Sequence, residues 1–111
     1  MKALSIKNPW ATLIADGKKT IETRTWPTKY RGPLLICATK QPPAPNSGYA
    51  VAVADLVDCR PMVAADEPAA ALAVYPGAHS WVLNNIRKIK PFPVRGQLGF
   101  FDVPHSIEIL G

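Results

Sequence analysis

Twelve prolines are spread through the 111 residues of this chain, and each fixes φ and removes a backbone donor. That spacing argues against long uninterrupted helices and favours short strands and turns. About half of the residues are hydrophobic (48%), enough for one core at this length and far from the signature of a disordered chain. The expectation is a single domain over residues 1–111.

The punctuation divides the chain into elements. In "PWATLIADGKK", Asn8 is a candidate cap, Pro9 a first-turn residue, Trp10, Leu13 and Ile14 share a helical face, and Gly17 is a stop. "TIETRTW" alternates in the manner of a strand, with Thr20, Glu22, Arg24 and Trp26 on one side and Ile21, Thr23 and Thr25 on the other. The apolar run "PLLICATK" reads as a buried strand with Lys40 at its mouth, and "YAVAVADLVDCRP" as a longer strand stopped by Pro61. Residues 62–79 are alanine-rich, broken by Pro68 and Pro76, and fit either a short helix or a loop. "SWVLNNIRKI" and "QLGFFDV" supply two more strands, separated by "KPFPVRG" as a turn or an extended edge. Five to six strands with one or two short flanking helices make an α+β domain on a small curled sheet, and closure toward a β-barrel removes its exposed edges.

The chemistry offered is narrow. Cys37 and Cys59 lie in apolar runs without a partner at ligand spacing, so buried free thiols are expected rather than a metal site or a disulfide. His79 and His105 have no acidic or cysteine neighbours at ligand spacing, and no phosphate-cradling glycine loop or Ser-His-Asp order is present. Neither a metal nor a cofactor is expected. Lys7, Asn8 and Pro9 interrupt the apolar opening, and no run approaches the ~20 apolar residues of a membrane span, so a cytoplasmic location without membrane contact is the default.

Charge is the informative feature. Residues 1–40 carry eight Lys or Arg against only Asp16 and Glu22, a positive field suited to nucleic acid, nucleotides or phosphate. Within it, Glu22 and Arg24 share a strand face, where the carboxylate can orient the guanidinium, and Lys19 sits at the turn into that strand. Trp10 and Trp26 bracket the cluster, and aromatics interleaved with cations suit base stacking. Lys7 adds a further cation beside Trp10. The same spacing also fits an exposed ion pair with solvated lysines, and either tryptophan suits a core position.

Together, "LSIKNPWATLIADGKKTIETRTWPTKYRGPLLICATK" and "RGQLGFFDVP" resemble the ASCH domain (activating signal cointegrator homology), a branch of the PUA-like superfamily. The pattern Gly17-x-Lys19-x-x-Glu22-x-Arg24 carries the resemblance. It implies a small PUA-like β-barrel and a cleft beside the pattern for RNA or a nucleoside- or nucleotide-like ligand. Lys19, Glu22 and Arg24 would lie in that cleft, with Trp10 and Lys40 lining it. One bacterial branch of similar proteins looks like an amidohydrolase on acetylcytidine, using a lysine, a threonine three residues later and a distant glutamate. Lys19 matches the lysine, but Glu22 occupies the threonine's place. The alternative expectation is thus a hydrolase on the same ligands, an amidohydrolase or a ribonuclease, built on Lys19 and Glu22.

Overall fold

A computed structural model describes residues 1–110; Gly111, the last residue of the expected domain, lies outside the described residues. Strand β1 (Lys2–Ile6) leads into helix α1 (Trp10–Ala15). Asn8 does not cap that helix in the usual geometry; its side-chain oxygen accepts bonds from the Thr12 hydroxyl (2.9 Å) and the Thr12 amide (3.3 Å). Gly17, with φ +76°, ends the helix turn where a side chain would be strained. Lys18 and Lys19 then both donate their amides to the Leu13 carbonyl, folding the chain back before β2 (Ile21–Arg24).

β3 (Gly32–Ala38) is buried along nearly its whole length. Leu34 and Ile36 enter the core beneath α1 with Leu4, Ile14, Leu56 and Trp81, whereas Leu35 and Cys37 enter a second cluster with Val53, Ile89, Phe92 and Phe101. A strand covered on both faces reads as a continuous apolar run, which is why "LLICA" shows no alternation.

β4 (Tyr49–Pro61) runs for 13 residues and is the longer strand expected of "YAVAVADLVDCRP", while β5 (His79–Pro93), at 15, exceeds the short strands that the proline count favours. The prolines stand at their margins: Pro61 ends β4, while Pro91 and Pro93 lie among the last residues of β5, so "KPFP" is extended rather than a turn. Register shifts at Ala50/Ala52, Val53/Asp55 and Leu56/Asp58 bend this long pair, as bulges do. Between them, residues 62–78 hold a 3-10 turn (Ala64–Asp66) and the one-turn helix α2 (Glu67–Ala70).

With β6 (Phe100–Asp102) the strands form one sheet in the order β2-β5-β4-β3-β1-β6, antiparallel except for β1 with β3. The result is an α+β fold: a six-stranded sheet curled into a small half-barrel, with two short helices. No helix among the described residues is long and apolar enough to cross a membrane.

Candidate functional site

The curl brings β2 beside the end of β1, although the two strands are not paired. β6 covers β1 only along Lys2–Leu4, leaving the edge at Ser5 free, and the Arg24 guanidinium donates across the gap to the Ser5 carbonyl (2.7 Å). A cleft of about 870 Å³ opens over this seam. Its walls come from Ser5–Lys7 and Trp10, from Glu22–Arg24, from Thr39, Lys40 and Gly48, from Leu72 and Tyr75 beyond α2, and from Val94–Gly99. A volume of this order suits a small ligand or one to two nucleotide units.

Glu22 is the acid of the wall, buried to 7% exposure. Its carboxylate lies 3.2 Å from Arg24 Nε and 3.8 Å from Lys19 Nζ. The Arg24 Nε–H is not aimed at an acceptor, so its contact with Glu22 is ionic rather than a formed hydrogen bond. Burial pushes the Glu22 carboxyl up; the Arg24 and Lys19 charges and the Thr23 amide pull it down without overcoming that cost. Lys19 is fully buried, and its ammonium donates to the Ala70 carbonyl at the end of α2. Burial lowers the Lys19 pKa, with the Arg24 charge adding to the effect and Glu22 opposing it. A carboxyl with raised pKa can accept or donate a proton to a ligand, and the surrounding cations, Lys7, Arg24, Lys40 and Arg95, can hold an anion.

Of the residues singled out in the sequence, Lys7, Trp10, Glu22, Arg24 and Lys40 meet at this cleft. Lys19 does not reach its surface; it stands behind Glu22, because the chain reversal after Gly17 turns its side chain toward α2. Trp26 is a correction. It packs edge-on against Trp81 (4.7 Å between centroids) and Phe100 (5.9 Å), and its carbonyl accepts the Trp81 indole N–H, so its ring belongs to an aromatic cluster outside the cleft lining. Thr23 is the opposite correction: alternation sets it away from Glu22, yet it lines the cleft and accepts the Tyr75 hydroxyl at 3.0 Å. Thr23 reaches the lining because the loop after α2 brings Tyr75 and Leu72 to its side of β2.

Tyr75, Arg95 and Gln97 reach the cleft from segments that the sequence alone leaves outside it, and Thr39 lines it beside Lys40. "VYPG" carries only a turn signal, and "QLGFFDV", expected as a strand, is strand only over Phe100–Asp102, which leaves Gln97 in a loop; proximity to the seam is set by sheet closure rather than by local pattern. Both cysteines are free; burial pushes the Cys37 thiol up to about 12, which leaves it inert at neutral pH. No cluster of metal-binding side chains occurs among the described residues. His105 stacks on Phe92 (3.8 Å) and His79 contacts the Gly77 carbonyl, both outside the main cleft.

The family model of the ASCH domain matches residues 4–93. Human and mouse activating signal cointegrator 1 are each 48% identical over 43 residues, 39% of this chain but 7% of those proteins, so the match spans a small part of the curated relatives. Among solved structures, the ASCH protein of Zymomonas mobilis superposes with a TM-score of 0.67 at 20% identity, covering 99% of this chain and 87% of that one. A tyrosine-to-phenylalanine mutant of the same protein gives 0.66 at 20% identity, covering 99% and 89%. At that identity the likeness is one of fold, while the family model spans most of the sequence: the chain belongs to the ASCH domain family.

Proposed function

We propose that the seam cleft binds RNA or a modified nucleoside or nucleotide. ASCH domains are a PUA-like family with a proposed RNA-binding role. The observation that carries the reading for this chain is convergence: Lys7, Arg24, Lys40 and Arg95 arrive from four separate segments at one cleft that also holds Trp10 and Glu22. Cations at the rim suit phosphates, an indole suits a base face, and an acceptor fixed beside a guanidinium suits a polar base edge. The test is a titration at low salt against short RNAs and a panel of nucleosides and nucleotides, with thermal stability followed in parallel. Arg24→Ala is expected to weaken binding more than Lys29→Ala, whose lysine is exposed and outside the cleft. No interaction with any probe at low salt removes the reading.

Hydrolysis of the same ligands is the second reading, favoured by the raised pKa of the Glu22 carboxyl at the cleft wall. Glu22 would be the group that moves a proton, and Lys19, screened from the cleft, would act by holding Glu22. Incubation with acetylcytidine and with RNA decides it. Turnover that Glu22→Gln abolishes supports the reading; no turnover, or turnover indifferent to that change, ends it.

A further inference from the structure

The segment Val94–Gly99 is the longest continuous stretch of the cleft wall that lies outside helix and strand. It is fastened at its start, where the Val94 amide donates to the Gly48 carbonyl (2.9 Å), and at its end, where Phe100 enters β6 opposite Leu4. Among the described residues, no hydrogen bond holds residues 95–99 in between. Gly96 lies directly against the cleft floor: a Cβ there would stand 2.8 Å from the Ser5 hydroxyl. Gly99, with φ +66°, holds a backbone conformation that a side chain would strain. Leu98 stands between the two glycines and is 99% exposed, although it borders the cleft.

A single exposed leucine on a protein surface needs no explanation. This one differs in position, since it is carried by an untethered segment flanked by glycines, at the mouth of a cleft whose other exposed lining residues include three cations. Cations grip phosphates, but they leave the flat apolar face of a base unsatisfied, and an apolar side chain laid against that face is a common partner. We infer that Val94–Gly99 closes over the bound ligand and that Leu98 packs on the face of its base, with Arg95 and Gln97 carried inward on the same segment. The inference rests on the reading of the cleft as a nucleotide site, and it makes Leu98 a ligand-contacting residue that senses the base rather than the phosphate.

Fluorescence anisotropy with two labelled probes tests it: a short mixed-sequence RNA, and an abasic strand of the same length. Leu98→Ser is expected to weaken the RNA by about tenfold, the effect of losing most of one aliphatic side chain's burial, and to leave the abasic strand unchanged. Leu98→Met should retain affinity for both. Gly96→Ala, which lifts the segment from Ser5, should weaken the RNA in the same sense. None of the Leu98 changes should move Tm, because the side chain has no folded-state contacts to lose. If the parent protein binds RNA and Leu98→Ser binds it equally well, the closing segment is wrong and the cleft reading stands. If the parent binds neither probe, both fall. A change in oligomeric state by light scattering on Leu98→Ser, with RNA affinity intact, would show that the leucine covers a second copy of the chain and would overturn the inference.

Discussion

Two buried carboxylates, each beside an arginine, end up in opposite conditions. Asp66, at the corner between β4 and α2, accepts hydrogen bonds from the Arg60 guanidinium (2.7 Å), the Ser80 hydroxyl (2.9 Å) and the Val63 amide (3.2 Å). Burial pushes its pKa up, but those donors outweigh it and hold the carboxyl below the usual range. Glu22 has charges at 3.2 and 3.8 Å in place of that close set of donors, and burial wins. The arginine is therefore not what distinguishes them; the number of donors aimed at the oxygens is. A carboxylate with its acceptor sites filled is part of the framework, whereas one held mainly by nearby charge keeps capacity for a ligand.

The largest effect should come from Lys19, which ties the two sides of the Glu22 region together through Ala70. Lys19→Ala removes one partner of a buried pair, leaving the Ala70 carbonyl without its donor and Glu22 with one counter-charge fewer, so a loss of about 3 kcal/mol in urea denaturation is expected. Lys19→Met combined with Glu22→Gln should recover most of that loss, because an apolar stem and a neutral amide replace the pair together. A single-mutant loss below about 1 kcal/mol would mean that the ammonium contributes little, and the contrast with Asp66 would lose one arm.

Asp66→Asn should cost about 2 kcal/mol at neutral pH and leave ligand affinity unchanged. Its pH dependence separates the two carboxylates by sign. Because the folded pKa of Asp66 is depressed, the unfolded chain binds more protons, and the contribution is present above the unfolded value, about 4, and lost as pH falls through the folded one. Because the folded pKa of Glu22 is raised, its contribution is present below the unfolded value, about 4, and lost as pH rises through the folded one. Denaturation of Asp66→Asn and Glu22→Gln from about pH 3 to about pH 7 should show the first deficit opening with pH and the second closing. Parallel curves would erase the distinction.

The Glu22 arm of this comparison is legible in part from the amino-acid sequence. Period-two alternation in "TIETR" puts Glu22 and Arg24 on one face, and the geometry follows because side-chain direction along a strand is fixed by the pleat. Lys19 is not legible in the same way: its direction depends on α2 offering the Ala70 carbonyl, from a segment 51 positions away whose conformation the alanines leave open. Trp26 misleads for a related reason: β2 ends at Arg24, so strand alternation no longer directs its side chain, and the half-buried ring packs on Trp81 of β5 and Phe100 of β6. The count of prolines also misleads about strand length. What limits a strand is where its prolines fall, and here β4 and β5 keep theirs at the ends. Arg95 and Tyr75 reach the cleft only because the sheet closes, and local pattern carries no record of that.

The smallest effect is at the rim, and it bears on whether the lysines that line the cleft with Glu22 act on phosphate. Lys7 and Lys40 are exposed, so their removal should not alter Tm, and each should contribute mainly by releasing counterions from a bound strand. For single-stranded RNA, each lost phosphate contact lowers the magnitude of the slope of log K against log salt by about 0.7. Lys7→Ala and Lys40→Ala should each produce that change, and the double variant about twice it, while Lys29→Ala leaves the slope as it was. A slope that falls equally for all three lysines would assign the salt dependence to the general field of the basic first third instead of the seam, because a diffuse field does not distinguish a lysine in the cleft from one outside it.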